Sequence, residues 1–522
     1  MAACPSCISY LFYSLKTALH IAYNLVVFFT TRVLSPSDQP DGLSEVLDPI
    51  THRKRIRRYD GSFAKGRHDG FYLFGGHSTC ANAVFVSSKV ALDSVVVLKA
   101  LEYLASTYPL LRVKAEWETT KDGLPARYLT EIDGFSFREI NFSEHDAHAS
   151  DWKGLFEEDL NAGFDLSGGR PLWRVTRLLE QFTPADKLYS NTFIMTFHHS
   201  IFDGSSMMKF LGEFQEKLHQ FHRGVPMSSP LSSPMSPPLL ELLKQHIELP
   251  WYGALWYQIK HVLRKGREPP RNVFLAKYPP PVLNNEEDFK TKTIPGILSD
   301  KLTSSLVQKC KLNGSTVGGA LSAAVAIATG QLIQDSISHC APGEFVIGLP
   351  VNIRGACNLT QEDQEFGLFI SVIFIPCKLP FVGNISDIFW SVAAEMTSRV
   401  KQKLKQEKQF EFLKKLKYTP RDVAQDITSA SADIRNAGRF PNIFEVSNRG
   451  RFSYPCVQDY HVTGCHNAVA QHLIGPVMTL TAMSINGRLH WTFVYSSRTM
   501  RDALAREFAR SVGEILKDIT SC

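Results

Sequence analysis

The chain has 522 residues, 44% of them hydrophobic and 21% charged, and a formal net charge of +6. That length exceeds what one hydrophobic core usually supports, and the composition excludes a disordered chain. The small charge excess, with no domain-wide basic face interleaved with aromatics, argues against nucleic acid as a partner. The ten cysteines are scattered and give neither a disulfide framework nor metal-ligand spacing beyond the lone pair Cys4 and Cys7. They read as reduced thiols of the cytosol.

In chain order, Ile8 to Thr31 (ISYLFYSLKTALHIAYNLVVFFTT) is about long enough to cross a bilayer as a helix. No small-x-small cleavage site follows, and Arg32 and the run His52-Arg53-Lys54-Arg55-Ile56-Arg57-Arg58 put the basic flank on its C-terminal side. The positive-inside tendency holds that flank in the cytosol. A membrane anchor or an in-plane helix is expected over a cleaved signal, and a buried amphipathic helix of the main domain stays open. Asn82 to Ser87 reads as a strand. Asp93 then opens a helix with Val97, Leu98, Leu101 and Leu104 on one face, ended by Pro109. Leu111 to Trp117 is the next strand. Asn191 to Phe197 is an apolar strand running into His198 and His199, and past Gly204 a helix carries Met207, Leu211, Phe214, Leu218 and Phe221.

Gly224 to Leu239 is a Pro/Ser-rich break, and Glu268 to Asn285 is a second weak stretch. Between them lies Pro250-Trp251-Tyr252-Gly253-Ala254-Leu255-Trp256-Tyr257 with Lys260, Arg264 and Lys265 behind it, which suits either a bilayer interface or a helix packed on the protein itself. Beyond the break, Thr316 to Ile333 is an Ala-rich helix, and Phe345 to Leu349 and Phe369 to Ile375 are strands. Met478 to Ile485 and Arg488 to Tyr495 flank Asn486-Gly487, a hairpin signal. Leu504, Phe508, Val512, Ile515 and Ile519 mark a final amphipathic helix. The expected organisation is an anchor over residues 1–45, a first half over 46–223, a connector over 224–285 and a second half over 286–522, both halves open α/β.

The segment His198-His199-Ser200-Ile201-Phe202-Asp203-Gly204 carries the chemistry. Two histidines ending one extended run point to opposite sides, so they do not share a metal. A histidine at a strand end, with the Asp203 carboxylate available to hold one tautomer and Gly204 allowing a tight turn, meets the needs of a general base. No G-x-S-x-G nucleophile accompanies it, so His199 would act directly on an acceptor hydroxyl or amine. The alternative is a core histidine pair satisfied by backbone.

The segment resembles the HHxxxDG motif of the superfamily that holds chloramphenicol acetyltransferase, peptide-synthetase condensation domains, alcohol acetyltransferases and the wax ester synthase/diacylglycerol acyltransferase group. Its four specified positions arise by chance in roughly one in a thousand chains of this size. Similar segments stand around it in family order: Tyr108-Pro109-Leu110-Leu111-Arg112, with Tyr where the family has His; Phe164-Asp165-Leu166 with Pro171-Leu172-Trp173-Arg174; Leu349-Pro350-Val351-Asn352-Ile353-Arg354; and Val446-Ser447-Asn448-Arg449-Gly450. The plant-branch DFGWG element is absent, and no carrier or adenylation domain shares the chain.

The resemblance implies two chloramphenicol-acetyltransferase-like α/β subdomains forming a V around a tunnel. It implies His199 as base, His198 and Gly204 as support for the turn, Asp203 as a structural partner of Arg354, and Asn448 and Gly450 at the substrate path. It also implies acyl-CoA as co-substrate, with no bound cofactor or metal, and a lipophilic alcohol as acceptor. The expected protein is a monomer associated with the endoplasmic reticulum membrane, its catalytic part facing the cytosol. An amine acceptor, or a non-catalytic member that binds a lipid or partner, are the other readings.

Overall fold

The structure, a computed structural model, describes residues 45–47, 54–59, 78–119, 125–132, 141–145, 151–166, 169–232, 235, 237–265, 274, 277–279, 281, 290–337, 344–357, 366–378, 385–418, 442–454, 459–471 and 476–521. The apolar segment from Ile8 to Thr31, with Cys4, Cys7 and Cys522, lies outside these residues. Among the described residues no single helix is long and apolar enough to cross a membrane.

The first described elements are β1 (Glu45–Leu47) and β2 (Lys54–Tyr59), so most of the basic run is a strand. Next come β3 (Thr79–Ser88), α1 (Ser94–Thr107), β4 (Val113–Thr119), β5 (Pro125–Glu131), β6 (Asn141–His145), α2 (Trp152–Ala162), β7 (Trp173–Leu178), β8 (Gln181–Thr183), β9 (Leu188–His198) and α3 (Gly204–His222). Past the Pro/Ser-rich break are α4 (Trp251–Lys265), β10 (Thr291–Leu298), α5 (Asp300–Leu312), α6 (Val317–Ile337), β11 (Glu344–Asn352), β12 (Ile370–Lys378), α7 (Ile385–Lys405) and α8 (Gln409–Tyr418). The chain ends with β13 (Asn442–Phe452), β14 (Tyr460–Val469), β15 (Met478–Ile485), β16 (Arg488–Ser496) and α9 (Asp502–Ser521).

Local chemistry explains the boundaries. Asp93 caps α1 by accepting the Val95 N–H at 2.8 Å, and Pro109 stops the helix from continuing past Tyr108. Asn486 and Gly487 both take positive φ (47° and 92°), the turn that matches strand twist in a two-residue hairpin. α9 buries Phe508, Val512, Ile515 and Ile519 on one stripe.

The described strands form three sheets. A small antiparallel sheet has the order β1-β2-β5-β4. The second has the order β14-β3-β9-β7-β6, with β8 on β9; the third has the order β10-β16-β15-β13-β11-β12. The second and third combine parallel and antiparallel pairs. The expected pair of α/β units is therefore linked more closely than chain order suggests: β14 comes from beyond the connector yet pairs with β3 along its length, from Tyr460↔Ser88 to Val469↔Cys80. An edge strand left open by the first segment is covered by a strand of the second.

Candidate active site

β9 reaches the site as a buried strand, paired on both sides by β3 and β7, and ends at His198. Trp173 and Phe197 stack behind it, and the Trp173 indole N–H donates to the Leu111 carbonyl. Arg112 donates to the carbonyls of Ala105 and Ser106, each at 2.8 Å, and Arg174 pairs with Asp159. These family-like segments thus hold β9 from behind. Tyr108, which stands where the family has His, bonds Glu213 of α3, and burial followed by that bond raises its phenol well above its usual range.

At the end of β9 the chain turns. The His199 N–H donates to the Ser78 carbonyl at 2.7 Å, and the Ile201 N–H to the His198 carbonyl at 3.1 Å. Both histidines are buried, and their rings take different partners. His198 Nδ1 accepts the Ser200 N–H at 3.3 Å and meets the Ser200 hydroxyl at 2.7 Å, which puts its own proton on Nε2. His199 Nδ1 lies 2.8 Å from the Phe202 carbonyl oxygen. A carbonyl only accepts, so the proton sits on Nδ1 and the basic lone pair on Nε2. This corrects one expectation: the tautomer of His199 is set by the Phe202 carbonyl, because the Asp203 carboxylate is committed elsewhere. Burial pushes the His199 imidazole down to about 4, opposed by the Phe202 carbonyl and Asp203 and reinforced by the Arg449 charge. The ring is therefore neutral at physiological pH.

Asp203 and Arg354 form a buried bidentate pair across the two segments, Nη1 to Oδ2 at 2.7 Å and Nη2 to Oδ1 at 2.9 Å. Asp203 also accepts the Ser206 N–H and the Phe369 N–H, each at 2.9 Å, and the Ser206 hydroxyl at 3.0 Å. Burial alone would raise this carboxyl, but Arg354 and these donors hold it below its usual range. Asp203 thereby caps α3 and ties it to the strand and turn around Phe369.

The structure brings together His199, Asp203, Gly204 and Arg354, with His198 beside them. Asn448 and Gly450 stand on β13. Asn448 Oδ1 accepts the Gly450 N–H at 3.1 Å, Gly450 takes a φ of 97°, and the Asn448 side chain lies beside Gly318 at the start of α6. The residue between them, Arg449, reaches the histidine motif, and the sequence reading did not select it. A Cβ on Gly204 would stand 2.9 Å from Arg449 Nε, so glycine gives the guanidinium its passage, and Arg449 Nη1 lies 3.5 Å from Asn82 Oδ1. The signal was strand alternation along β13, which sends Arg449 to the face opposite Asn448.

The five described cysteines are buried, and burial raises each thiol, Cys80 and Cys465 to about 12, so they are not poised as nucleophiles. Among the described residues no group of three or more His, Cys, Asp or Glu is placed to hold a metal ion.

Residues 72–237 match the condensation-domain family. No curated protein matches the sequence. A trichothecene 15-O-acetyltransferase from Fusarium sporotrichioides superposes with a TM-score of 0.64 at 12% identity, covering 93% of this chain and 100% of that one. The epimerization domain from the third module of tyrocidine synthetase B gives 0.60 at 14% identity, with 89% and 96% covered. Polyketide synthase associated protein 5 from Mycobacterium tuberculosis gives 0.58 at 12%, with 88% and 98% covered. At these identities the likeness is one of fold.

Proposed function

On the premise that this chain is of the condensation-domain and chloramphenicol-acetyltransferase-like superfamily, we propose that it transfers an acyl group from a CoA thioester to the hydroxyl of a lipophilic alcohol. Donor and acceptor meet in a tunnel between the two large sheets. His199 Nε2 takes the hydroxyl proton as the oxygen attacks the thioester carbonyl. The tetrahedral intermediate collapses by breaking the C–S bond, and the thiolate leaves with the proton that His199 returns. Asp203 and Arg354 act on the turn that presents His199, and Asn448 and Gly450 border the substrate path.

The observation that carries this reading is the neutral His199 with its proton fixed on Nδ1 by the Phe202 carbonyl. A membrane surface as the place of action is supported by α4, which displays Trp251, Tyr252 and Trp256 to solvent at 62%, 63% and 52% exposure. Lys260 lies over the Trp256 ring, and Tyr257 ties the helix to Glu411 of α8. The apolar segment Ile8 to Thr31 points the same way, with the catalytic part on the cytosolic side of the endoplasmic reticulum.

The test is release of free CoA thiol by wild type and His199→Ala, from acetyl- to palmitoyl-CoA, with a panel of alcohols and amines. Turnover is expected to fall by about 10²–10⁴ in the variant, with unchanged circular dichroism. Because burial brings His199 to about 4, the neutral base is already fully formed well below neutrality, and kcat/KM should be flat from about pH 6 upward. Full turnover by the variant removes His199 as the base, whereas an acid limb centred on the ordinary histidine value that vanishes in the variant keeps the base and overturns its burial-lowered pKa. Turnover of amines alone moves the assignment to N-acylation.

A further inference from the structure

Side chains along β13 alternate. Phe444 and Val446 are buried in the core that this sheet shares with α6 and α9, so Glu445 and Ser447 take the opposite face. Arg449 shows what that face looks at, because its side chain lies on Gly204 and reaches Asn82. The neighbouring strand agrees: Thr481, which pairs with Ser447, donates to the Asn467 carbonyl of β14 at 2.6 Å. Glu445, Ser447 and Arg449 therefore form a polar stripe running away from the histidine motif between the two large sheets. Glu445 lies about 13 Å along the strand from Arg449, at roughly 3.3 Å per residue.

Glu445 is the unexplained member of this stripe. It is half-buried and forms no hydrogen bond or ion pair among the described residues. Burial is the one influence acting on its carboxyl, raising it to about 7. Its partner on β11 is Gly348, which offers no side chain to cover it, and beyond Gly348 stands the half-buried Phe374 of β12. A carboxyl group left without a hydrogen-bond partner, with Gly348 on one side and on the other Thr479, whose hydroxyl accepts from Gln471 at 3.2 Å, costs stability that a well-packed apolar residue would not.

We propose that Glu445 recognises the far end of an amphiphilic acceptor, accepting a hydrogen bond from an ammonium or second hydroxyl group remote from the acylated hydroxyl. The acyltransferase reading supplies the acceptor in this inference, and a binding measurement tests it separately from turnover. Wild type, Glu445→Gln and Glu445→Asp are titrated with decanol, decanediol and aminodecanol, following the thermal midpoint, and KM is measured for the same three. Wild type is expected to bind aminodecanol or decanediol at least tenfold more tightly than decanol. Glu445→Gln should lose that preference without changing decanol binding or lowering the ligand-free midpoint, and Glu445→Asp should fall between. Loss confined to aminodecanol assigns an ammonium group; equal loss with decanediol assigns a neutral donor. Identical affinities for all three ligands in wild type and Glu445→Gln overturn the proposal, whatever the turnover. Binding that depends on Glu445 without turnover of any acyl-CoA leaves Glu445 as the recognition group and removes the acyltransferase reading instead.

Discussion

Asp203 and His199 stand in the same short motif but answer to different forces. Asp203 is a buried charge whose two oxygens are fully engaged by Arg354, Ser206 and the Phe369 N–H. Removing Arg354 strands that carboxylate in the interior, so Arg354→Ala should destabilise the fold by about 3–5 kcal/mol, measured by urea unfolding. His199 is a neutral ring held by the Phe202 carbonyl, and its removal strands no charge. A stability loss for His199→Ala as large as that for Arg354→Ala would contradict this division of labour. The sequence made His199 legible through its motif. Arg354, more than a hundred residues away, was reached only through family resemblance, because no local pattern links a carboxylate to a guanidinium on a distant 3-10 turn. Arg449 and Glu445 were not reached at all. Their importance depends on which face of β13 meets the other sheet, and that is a tertiary fact.

At the level of elements, the strongly patterned segments were found and their ends were adjusted by packing. The strand expected over residues 82–87 extends to Thr79–Ser88, and the one over 191–197 to Leu188–His198, because each is paired along its added residues. The strand expected from Leu111 starts at Val113, since Pro109–Arg112 forms a short 3-10 turn. The Ala-rich pattern of α6 has a packing reason as well as a propensity one. A Cβ at Gly319 would lie 2.6 Å from the Ala393 carbonyl of α7 and 2.2 Å from Thr397 Oγ1. Small residues let the two helices approach closely, and a methyl group at that point overpacks the contact. Gly319→Ala should therefore lower stability by about 1–3 kcal/mol, read as a lower midpoint in urea at an unchanged slope. A neutral or raised midpoint would show that the helices separate freely.

At the scale of the molecule, the two large sheets are joined by β14 and by a wedge of aromatic and imidazole rings. His466 of β14 meets the Trp491 carbonyl of β16 at 3.1 Å and stacks on Trp152, while His490 lies edge-on to it with centroids 5.3 Å apart. Neither ring nitrogen of His490 has a hydrogen-bond partner among the described residues. Burial brings His466 to about 4 and His490 to about 3, the latter helped by the charges of His466 and Arg488. Both values lie below that of an unfolded histidine, so the unfolded chain binds more protons as the pH falls. Stability contributed by the neutral rings is complete above about pH 6.5 and is lost progressively toward pH 3 to 4. His490→Leu, which removes one such group without stranding a partner, should flatten the decline in urea midpoint between pH 6.5 and 4. An unchanged slope would place the acid sensitivity elsewhere.

By itself the sequence determined the most strongly patterned elements, the turn between β15 and β16, and the motif that presents His199, because periodicity, caps and turn residues act over a few neighbours. Tertiary structure decided what those elements meet. It put a strand from beyond the connector onto β3, gave Asp203 to Arg354 and left the His199 tautomer to a backbone carbonyl. It also aligned Glu445, Ser447 and Arg449 on the face between the sheets. Each of these rests on contacts between residues far apart in the chain, whose partners are chosen by the burial of apolar faces and the pairing of buried polar groups rather than by local pattern.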